Sequence, residues 1–335
     1  MRVIITGGAG FMGSNFTRYI LQKYTDTMIL VYDKLTYSGR LENLRDILSD
    51  TRLKFVQGDI VDEKHLVQVV KEFEPDVIVN FAAETHVDRS INEPAPFIKT
   101  NIEGIFKLLE VVRRLDIQLL VHISTDEVYG DRWGLPPADE GTCLRPSSPY
   151  SASKASGDLL ALAYWRTYRV PIVLVRPSNN YGPYQYPEKF IPKTIIRALF
   201  NKPIPVYGDG SQVRDWLYVE DFSEALTLVI EKGSLGEIYN IGGGNEKKNI
   251  EVVADILRIM GRPESLVKFV DDRPGHDKRY SMKTEKISLL GWRPKTPWEE
   301  GLRKTIEWYL KNEWWWRPLL DDYFFRIDTP WKEVK

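Results

Sequence analysis

Six short runs rich in β-branched residues, at 3–6, 28–32, 54–57, 76–82, 118–124 and 171–176, are separated by longer stretches with helical spacing. Across residues 97–115, for instance, Ile102, Ile105, Phe106, Leu108, Leu109 and Val112 recur at intervals that place them on one helical face. Few folds accept that alternation. Strands interleaved with helices pair in parallel, and the helices cover both faces of the sheet. Val77-Ile78-Val79 and Leu119-Leu120-Val121 are continuously apolar, as strands buried on both faces must be. The expected fold class is α/β, built on a doubly wound parallel sheet.

After about residue 178 the rhythm changes. Pro177, Pro183, Pro187, Pro192, Pro203 and Pro205 lie close together, and proline lacks the N–H that a central strand needs. Short strands at 204–207 and 237–241 and helices at 219–231, 250–260 and 297–312 predict a smaller mixed α/β domain. A chain of 335 residues suits such a pairing. The expected division is 1–177 and 178–335, with segments near 215–245 returning to the first domain. Seven of the ten tryptophans stand at or beyond Trp292, including Trp314-Trp315-Trp316, and the tail is expected to pack onto the body.

Charge and composition exclude several classes of function. Lysine plus arginine is 46 against 47 acidic residues, a net charge of −1, so a general nucleic-acid binder is not expected. No apolar stretch is long enough to span a bilayer, and Val3-Ile4-Ile5 is too short for a signal-peptide core. A soluble, cytoplasmic protein with no membrane partner is the expectation. Cys143 is the single cysteine, and His65, His86, His122 and His276 are too scattered to suggest a metal site.

Thr6-Gly7-Gly8-Ala9-Gly10-Phe11-Met12-Gly13 stands between the first strand and the first helix. Glycines at 7, 10 and 13 are a variant of the dinucleotide fingerprint: a tight turn, a backbone free to approach a pyrophosphate, and close helix–strand packing. The helix N-terminus then offers free N–H groups to phosphates. A structural glycine turn would share this spacing, but Asp33 ends the second strand twenty residues past Gly13. A carboxylate there bonds a ribose and repels a 2′-phosphate, which favours NAD over NADP, with Lys34 blurring the preference. Leu35 and Thr36 continue that loop. Asp59 and Ile60 follow the third strand, and Phe81, Ala82 and Ala83 the fourth, all at strand carboxyl ends where ligands of such sheets sit.

Tyr150 and Lys154 are four apart on a helix, so they share a face. A nearby ammonium and a positively charged nicotinamide would favour the phenolate and make Tyr150 a usable base. The fifth strand ends in Ser124-Thr125-Asp126-Glu127-Val128-Tyr129-Gly130. Two adjacent enclosed carboxylates repel, so one can stay protonated while its neighbour ionises. An acid beside a base suits the removal of water. A solvated acidic loop or a helix cap is the plainer use of such a pair.

The chain resembles the extended short-chain dehydrogenases/reductases, a Rossmann-type group, and within it the dTDP-glucose 4,6-dehydratases. The resemblance runs over nearly the whole length. It rests on the 7–13 loop, residues 82–90 (AAETHVDRS), 124–130, 150–154, 176–183 (RPSNNYGP), Arg214-Asp215-Trp216, Asp272-Arg273-Pro274-Gly275-His276 and the tryptophan-rich tail. It implies Tyr150 as base for the sugar 4-hydroxyl, supported by Thr125 and Lys154. Asp126 becomes the acid for the 6-hydroxyl and Glu127 the base at C5. Thr85, Asn179, Lys189, Phe190, Pro205, Val206, Tyr207, Arg214, Asn249, Asp272, Arg273 and His276 would hold the nucleotide-sugar. Thr85, Thr100 and Asn180, with Tyr150 and Lys154, would touch the NAD. The family more often has serine where Thr85 stands, and the hydroxyl is kept. A homodimer is implied as well, through the helices near 97–115 and 148–168. Competing readings are a 4-epimerase or decarboxylase of the same group, or a non-catalytic NAD-sensing protein. The 4-epimerases generally carry small or apolar residues at the Asp-Glu position, and a sensor has no use for all four of Tyr150, Lys154, Asp126 and Glu127.

Overall fold

The computed structural model describes residues 1–333. The six predicted runs form β1 (Arg2–Thr6), β2 (Met28–Asp33), β3 (Leu53–Gln57), β4 (Val77–Asn80), β5 (Leu119–Ile123) and β6 (Ile172–Pro177). The rest of the chain adds β7 (Asn179–Tyr181), β8 (Ile204–Tyr207), β9 (Val213–Tyr218), β10 (Ile238–Ile241), β11 (Glu246–Lys248) and β12 (Val267–Val270). Seven strands make one sheet in the order β3-β2-β1-β4-β5-β6-β10, every pair parallel. This is the doubly wound, Rossmann-type sheet. β10 joins it from the second half of the chain, beside β6.

Alternation along each strand fills two cores. Val3 and Ile5 point into one, with Val173 and Val175, while Ile4 points into the other, with Ile172 and Leu174. Strand order reverses between β1 and β4, and the chain leaves these neighbours in opposite directions. A crevice therefore opens beyond their carboxyl ends.

The helix predicted at 97–115 is real but not uniform. It runs as Ala95–Ile98, a π-helical turn Lys99–Gly104, and Ile105–Arg114. Asn101 in the wide turn bonds inward, accepting from the Glu84 N–H at 2.9 Å and donating to the Glu84 carbonyl at 3.0 Å and the Ser153 hydroxyl at 2.9 Å. The widened turn thus ties the loop after β4 to the helix Pro149–Tyr168. That helix starts on a reciprocal Ser148–Ser151 capping box with Pro149 in the first turn.

A smaller mixed lobe holds the sheet β11-β9-β7, the pair β12–β8, and helices Phe190–Leu199, Asn249–Met260 and Trp298–Lys311. Trp315 and Trp316 are buried in its core. Their indole N–H groups donate to Asn43 Oδ1 and the Tyr309 carbonyl, each at 2.7 Å. The tail therefore packs onto the body, and only Trp314 of the three stays exposed, beneath Arg45. Among the described residues no helix is long and apolar enough to cross a membrane.

Candidate active site

Two cavities open along the carboxyl ends of the sheet and share a wall. The longer runs from the glycine loop to Tyr150 and encloses about 1540 Å³ including its mouth. The second lies between the sheet and the smaller lobe. Thr85, Glu127, Asn179, Asn180, Gln185 and Lys189 line both.

The first cleft fits a dinucleotide. Gly7 has φ +69°, and a Cβ there would stand 2.5 Å from the Ala82 nitrogen; at Gly13 a Cβ would stand 2.5 Å from the Gly7 carbonyl oxygen. Any side chain at either position would push the loop off the sheet. Gly10, Phe11 and Met12 open the helix Phe11–Lys23, whose first turn holds no acidic residue to compete for its N–H groups. Asp33 accepts the Ala9 N–H at 2.9 Å and the Leu35 N–H at 2.8 Å, which fixes its carboxylate at the cleft edge. Lys34 pairs with Asp59 at 2.7 Å. Thr36, Ile60, Phe81, Ala82, Ala83, Thr85, Thr100, Lys154 and Asn180 also line the cleft. Leu35 does not; it packs its side chain into the core. Buried oxygens of Ser124 and Gln185, without partners among the described residues, stand along the same wall. Enclosed polar atoms left this way are costly unless a ligand meets them.

The chemical groups meet where the cavities join. Thr125 caps the short helix Asp126–Tyr129; its hydroxyl accepts the Glu127 N–H and donates to Asp126 Oδ1, both at 3.3 Å. Asp126 Oδ2 is buried without a partner among the described residues. Burial, then the charges of Glu127 and Asp215, hold the Asp126 carboxyl well above its usual range. Burial raises Glu127 too, but Arg273, Arg214 and Lys189 all oppose that rise. Arg214 reaches both carboxyls, but Asp126 feels two neighbouring anions and Glu127 three neighbouring cations.

Tyr150 is expected to become a base through two positive charges together, the Lys154 ammonium and the nicotinamide. In the protein alone its phenol is pushed up, by burial and then by Glu127, with only a bond from Thr125 opposing. Lys154 is lowered to about 8 by burial, against the pull of Asp158, and its Nζ donates to the Ile123 carbonyl at 2.7 Å. The ammonium alone does not activate the phenol.

Asn179, Lys189, Phe190, Pro205, Tyr207, Arg214, Asn249, Arg273 and His276 line the second cavity, as expected of a nucleotide-sugar site. Two predicted residues do not. Val206 lies between Pro205 and Tyr207 on β8, so it points the other way, into the core. Asp272 stands behind His276, whose Nδ1 it meets at 2.6 Å. Burial and Arg273 lower His276 to about 4, which leaves its ring neutral near pH 7. Arg214 lies over Tyr280 at 4.1 Å, and Arg273 pairs with Asp88 at 3.0 Å. Sequence reasoning missed Tyr37, Tyr184 and Tyr186 in the first cleft, and Asp88, Glu188, Lys193 and Trp216 in the second. Trp216 and Asp88 carried a signal, each standing in a motif, at 214–216 and at 82–90; the others had none.

A dinucleotide cleft running into a cation-lined cavity, with a Tyr/Lys helix and an acid pair at the junction, defines an extended short-chain dehydrogenase/reductase that works on nucleotide-sugars. The family described as GDP-mannose 4,6 dehydratase matches residues 4–305. The dTDP-glucose 4,6-dehydratase of Salmonella typhimurium is 48% identical, over 94% of each chain. A crystal structure of the Streptomyces venezuelae dTDP-glucose 4,6-dehydratase with NAD bound superposes with a TM-score of 0.93 at 45% identity, covering 95% of this chain and 100% of that one. The UDP-glucose 4-epimerase of Thermus thermophilus, also with NAD, gives 0.86 at 32% identity, covering 93% and 100%. The chain belongs to the dTDP-glucose 4,6-dehydratase family.

Proposed function

We propose that this protein converts dTDP-glucose to dTDP-4-keto-6-deoxyglucose and water, the product being a precursor of rhamnose-type deoxysugars. The observation that carries the reading is the Asp126–Glu127 pair where the two cavities meet, Asp126 buried and Glu127 half-buried beside it. An epimerase would have no use for an enclosed acid beside a base.

NAD in the first cleft takes hydride from C4 and returns it at C6. Tyr150 removes the proton of the 4-hydroxyl, held in place by Thr125, with Lys154 behind it. The 4-ketone makes the C5 hydrogen acidic, and Glu127, whose cationic neighbours Arg273, Arg214 and Lys189 favour its carboxylate against burial, takes it. Asp126 gives its proton to the C6 oxygen, and water leaves. Arg214 and Arg273 meet the diphosphate with guanidinium forks suited to its oxygens. Residues 1–177 build most of the cofactor cleft and the remainder most of the sugar-nucleotide cavity, while β10 returns to complete the central sheet; Asn180 and Tyr186 cross to the cleft, and Thr85 and Glu127 to the cavity. Substrate deuterated at C4 should give product with deuterium in the C6 methyl group and solvent hydrogen at C5. Deuterium that stays on C4 would replace this reading with an epimerase.

The proposal extends to a cytoplasmic homodimer. Ile98, Phe106, Leu159 and Tyr168 stand exposed on the helices around the π turn and on the helix Pro149–Tyr168. Pairing across a two-fold axis would cover them, and such closed dimers are the commonest oligomers. Sedimentation at micromolar concentration should give a particle of about 78 kDa, twice the chain's 38.9 kDa; a particle of single-chain mass would contradict it.

A further inference from the structure

We propose that the C-terminal tail clamps the outer wall of the cofactor cleft, with Arg89 and Asp322 as positioning residues that slow cofactor release. This rests on the reading of that cleft as the NAD site.

Four segments distant in sequence meet at one guanidinium. Arg89, on the short helix Val87–Asn92, lies 3.8 Å from the ring centre of Tyr37 and 4.1 Å from that of Phe324. It donates to Glu188 Oε2 at 2.8 Å and to Asp322 Oδ2 at 2.8 Å. Asp322 Oδ2 also accepts the Tyr186 hydroxyl at 3.4 Å. Tyr37 and Tyr186 face the cofactor cleft and meet edge to face at 5.2 Å. Glu188 faces the substrate cavity. Arg89 and Asp322 line neither cavity. Their contribution therefore passes through the wall they hold.

The tail has its own anchorage. Lys193 donates to the carbonyls of Phe324 and Ile327 at 2.8 and 2.9 Å. Arg197 donates to those of Phe325 and Arg326 at 3.1 and 3.0 Å. The smaller lobe fixes the tail, and the tail holds Tyr186 directly and, through Arg89, Tyr37 of the other lobe. An exposed ion pair could not do this, being weak and screened. Here the Glu188 side chain is fully buried and that of Asp322 is 14% exposed. A cofactor restored within each turnover has no need to exchange, so a closed wall does not limit the reaction.

Asp322→Asn tests the clamp. Asp322 Oδ1 also caps the turn after it, accepting the Phe324 N–H at 2.8 Å, and asparagine caps as well as aspartate does. With Oδ1 kept as the cap, the exchange replaces the charged oxygen that accepts from Arg89 and Tyr186 by an NH2 group. Wild-type protein purified without added cofactor should carry NAD(H) in a substantial fraction of its sites. On dilution, Asp322→Asn should release it about tenfold faster, the lower end for losing a charge-assisted hydrogen bond. Arg89→Lys, which loses the fork, should act in the same direction. Cofactor-stripped wild type and Asp322→Asn should melt within ~2 °C of each other. Release at the wild-type rate overturns the clamp, as does faster release accompanied by a larger fall in that melting temperature. Wild-type protein that carries no NAD(H), or mainly NADP, overturns the reading of the cleft instead.

Discussion

Asp126→Asn should slow the elimination by about 10²–10⁴-fold, the usual size of a general-acid contribution, while leaving the first oxidation intact. Asparagine keeps the shape and can still accept the Thr125 hydroxyl, but it has no acidic proton for the C6 oxygen. Tyr150 is untouched, so the absorbance of reduced nicotinamide should build up on mixing with substrate and decay slowly. Turnover at the wild-type rate would sink the assignment. The pH profile gives a second reading of the same carboxyl. In the wild type the rate should fall on the alkaline side as Asp126 loses its proton, and on the acid side as Glu127 gains one. The two titrate as a pair, so the limbs belong to both. In Asp126→Asn the alkaline limb that comes from this pair should disappear.

The central sheet was legible because its strands are buried on both faces, which leaves continuous β-branched runs at β1, β2, β4, β5 and β6. The smaller lobe was legible only in part: β8 and the helices Asn249–Met260 and Trp298–Lys311 stand where expected, but two of its strands escaped. β7 consists of Asn179-Asn180-Tyr181 and β11 of Glu246-Lys247-Lys248, too short and too polar to show a period. Pairing with β9 makes them strands, and that information is not local. The π turn at Lys99–Gly104 escaped for a related reason: one widened turn shifts the register of a helical face without erasing its apolar pattern.

The site divides along the same line. Groups at strand ends and on helix Pro149–Tyr168 carry motifs, because their geometry is set within a few residues. Val206 was misplaced although its strand was found, since a two-residue period lets only alternate side chains face the cavity. The wall formed by Tyr184, Tyr186 and Glu188 lies in a proline-rich segment with no period at all. What holds it, Arg89 against Asp322, spans 233 positions of chain. No local pattern reports such a contact. The placement of Tyr150 was legible, and in the protein alone desolvation of the enclosed phenol outweighs one ammonium that is already bonded to a carbonyl, which is why the expectation pairs that ammonium with the nicotinamide charge.

Tyr150→Phe should stop the reaction one step earlier than Asp126→Asn does. Phenylalanine preserves the edge-to-face contact with Phe97, at 6.3 Å between ring centres, and the packing against Val87. The Thr125 hydroxyl that loses its partner still reaches Asp126 Oδ1, so the fold should hold. What disappears is the oxygen that takes the 4-hydroxyl proton. The rate of nicotinamide reduction should fall by about 10²–10⁴-fold, and the absorbance that accumulates in Asp126→Asn should be nearly absent. Because burial and Glu127 keep the phenol neutral in the protein alone, its ionisation should depend on what fills the cleft. Spectroscopic titration should therefore show the Tyr150 phenolate forming at lower pH with NAD+ bound than with NADH bound or with the cleft stripped. The difference should vanish in Tyr150→Phe. A Tyr150→Phe protein that reduced its cofactor as fast as Asp126→Asn would move the base to another residue. A phenolate indifferent to the redox state of the cofactor would return the activating role to Lys154.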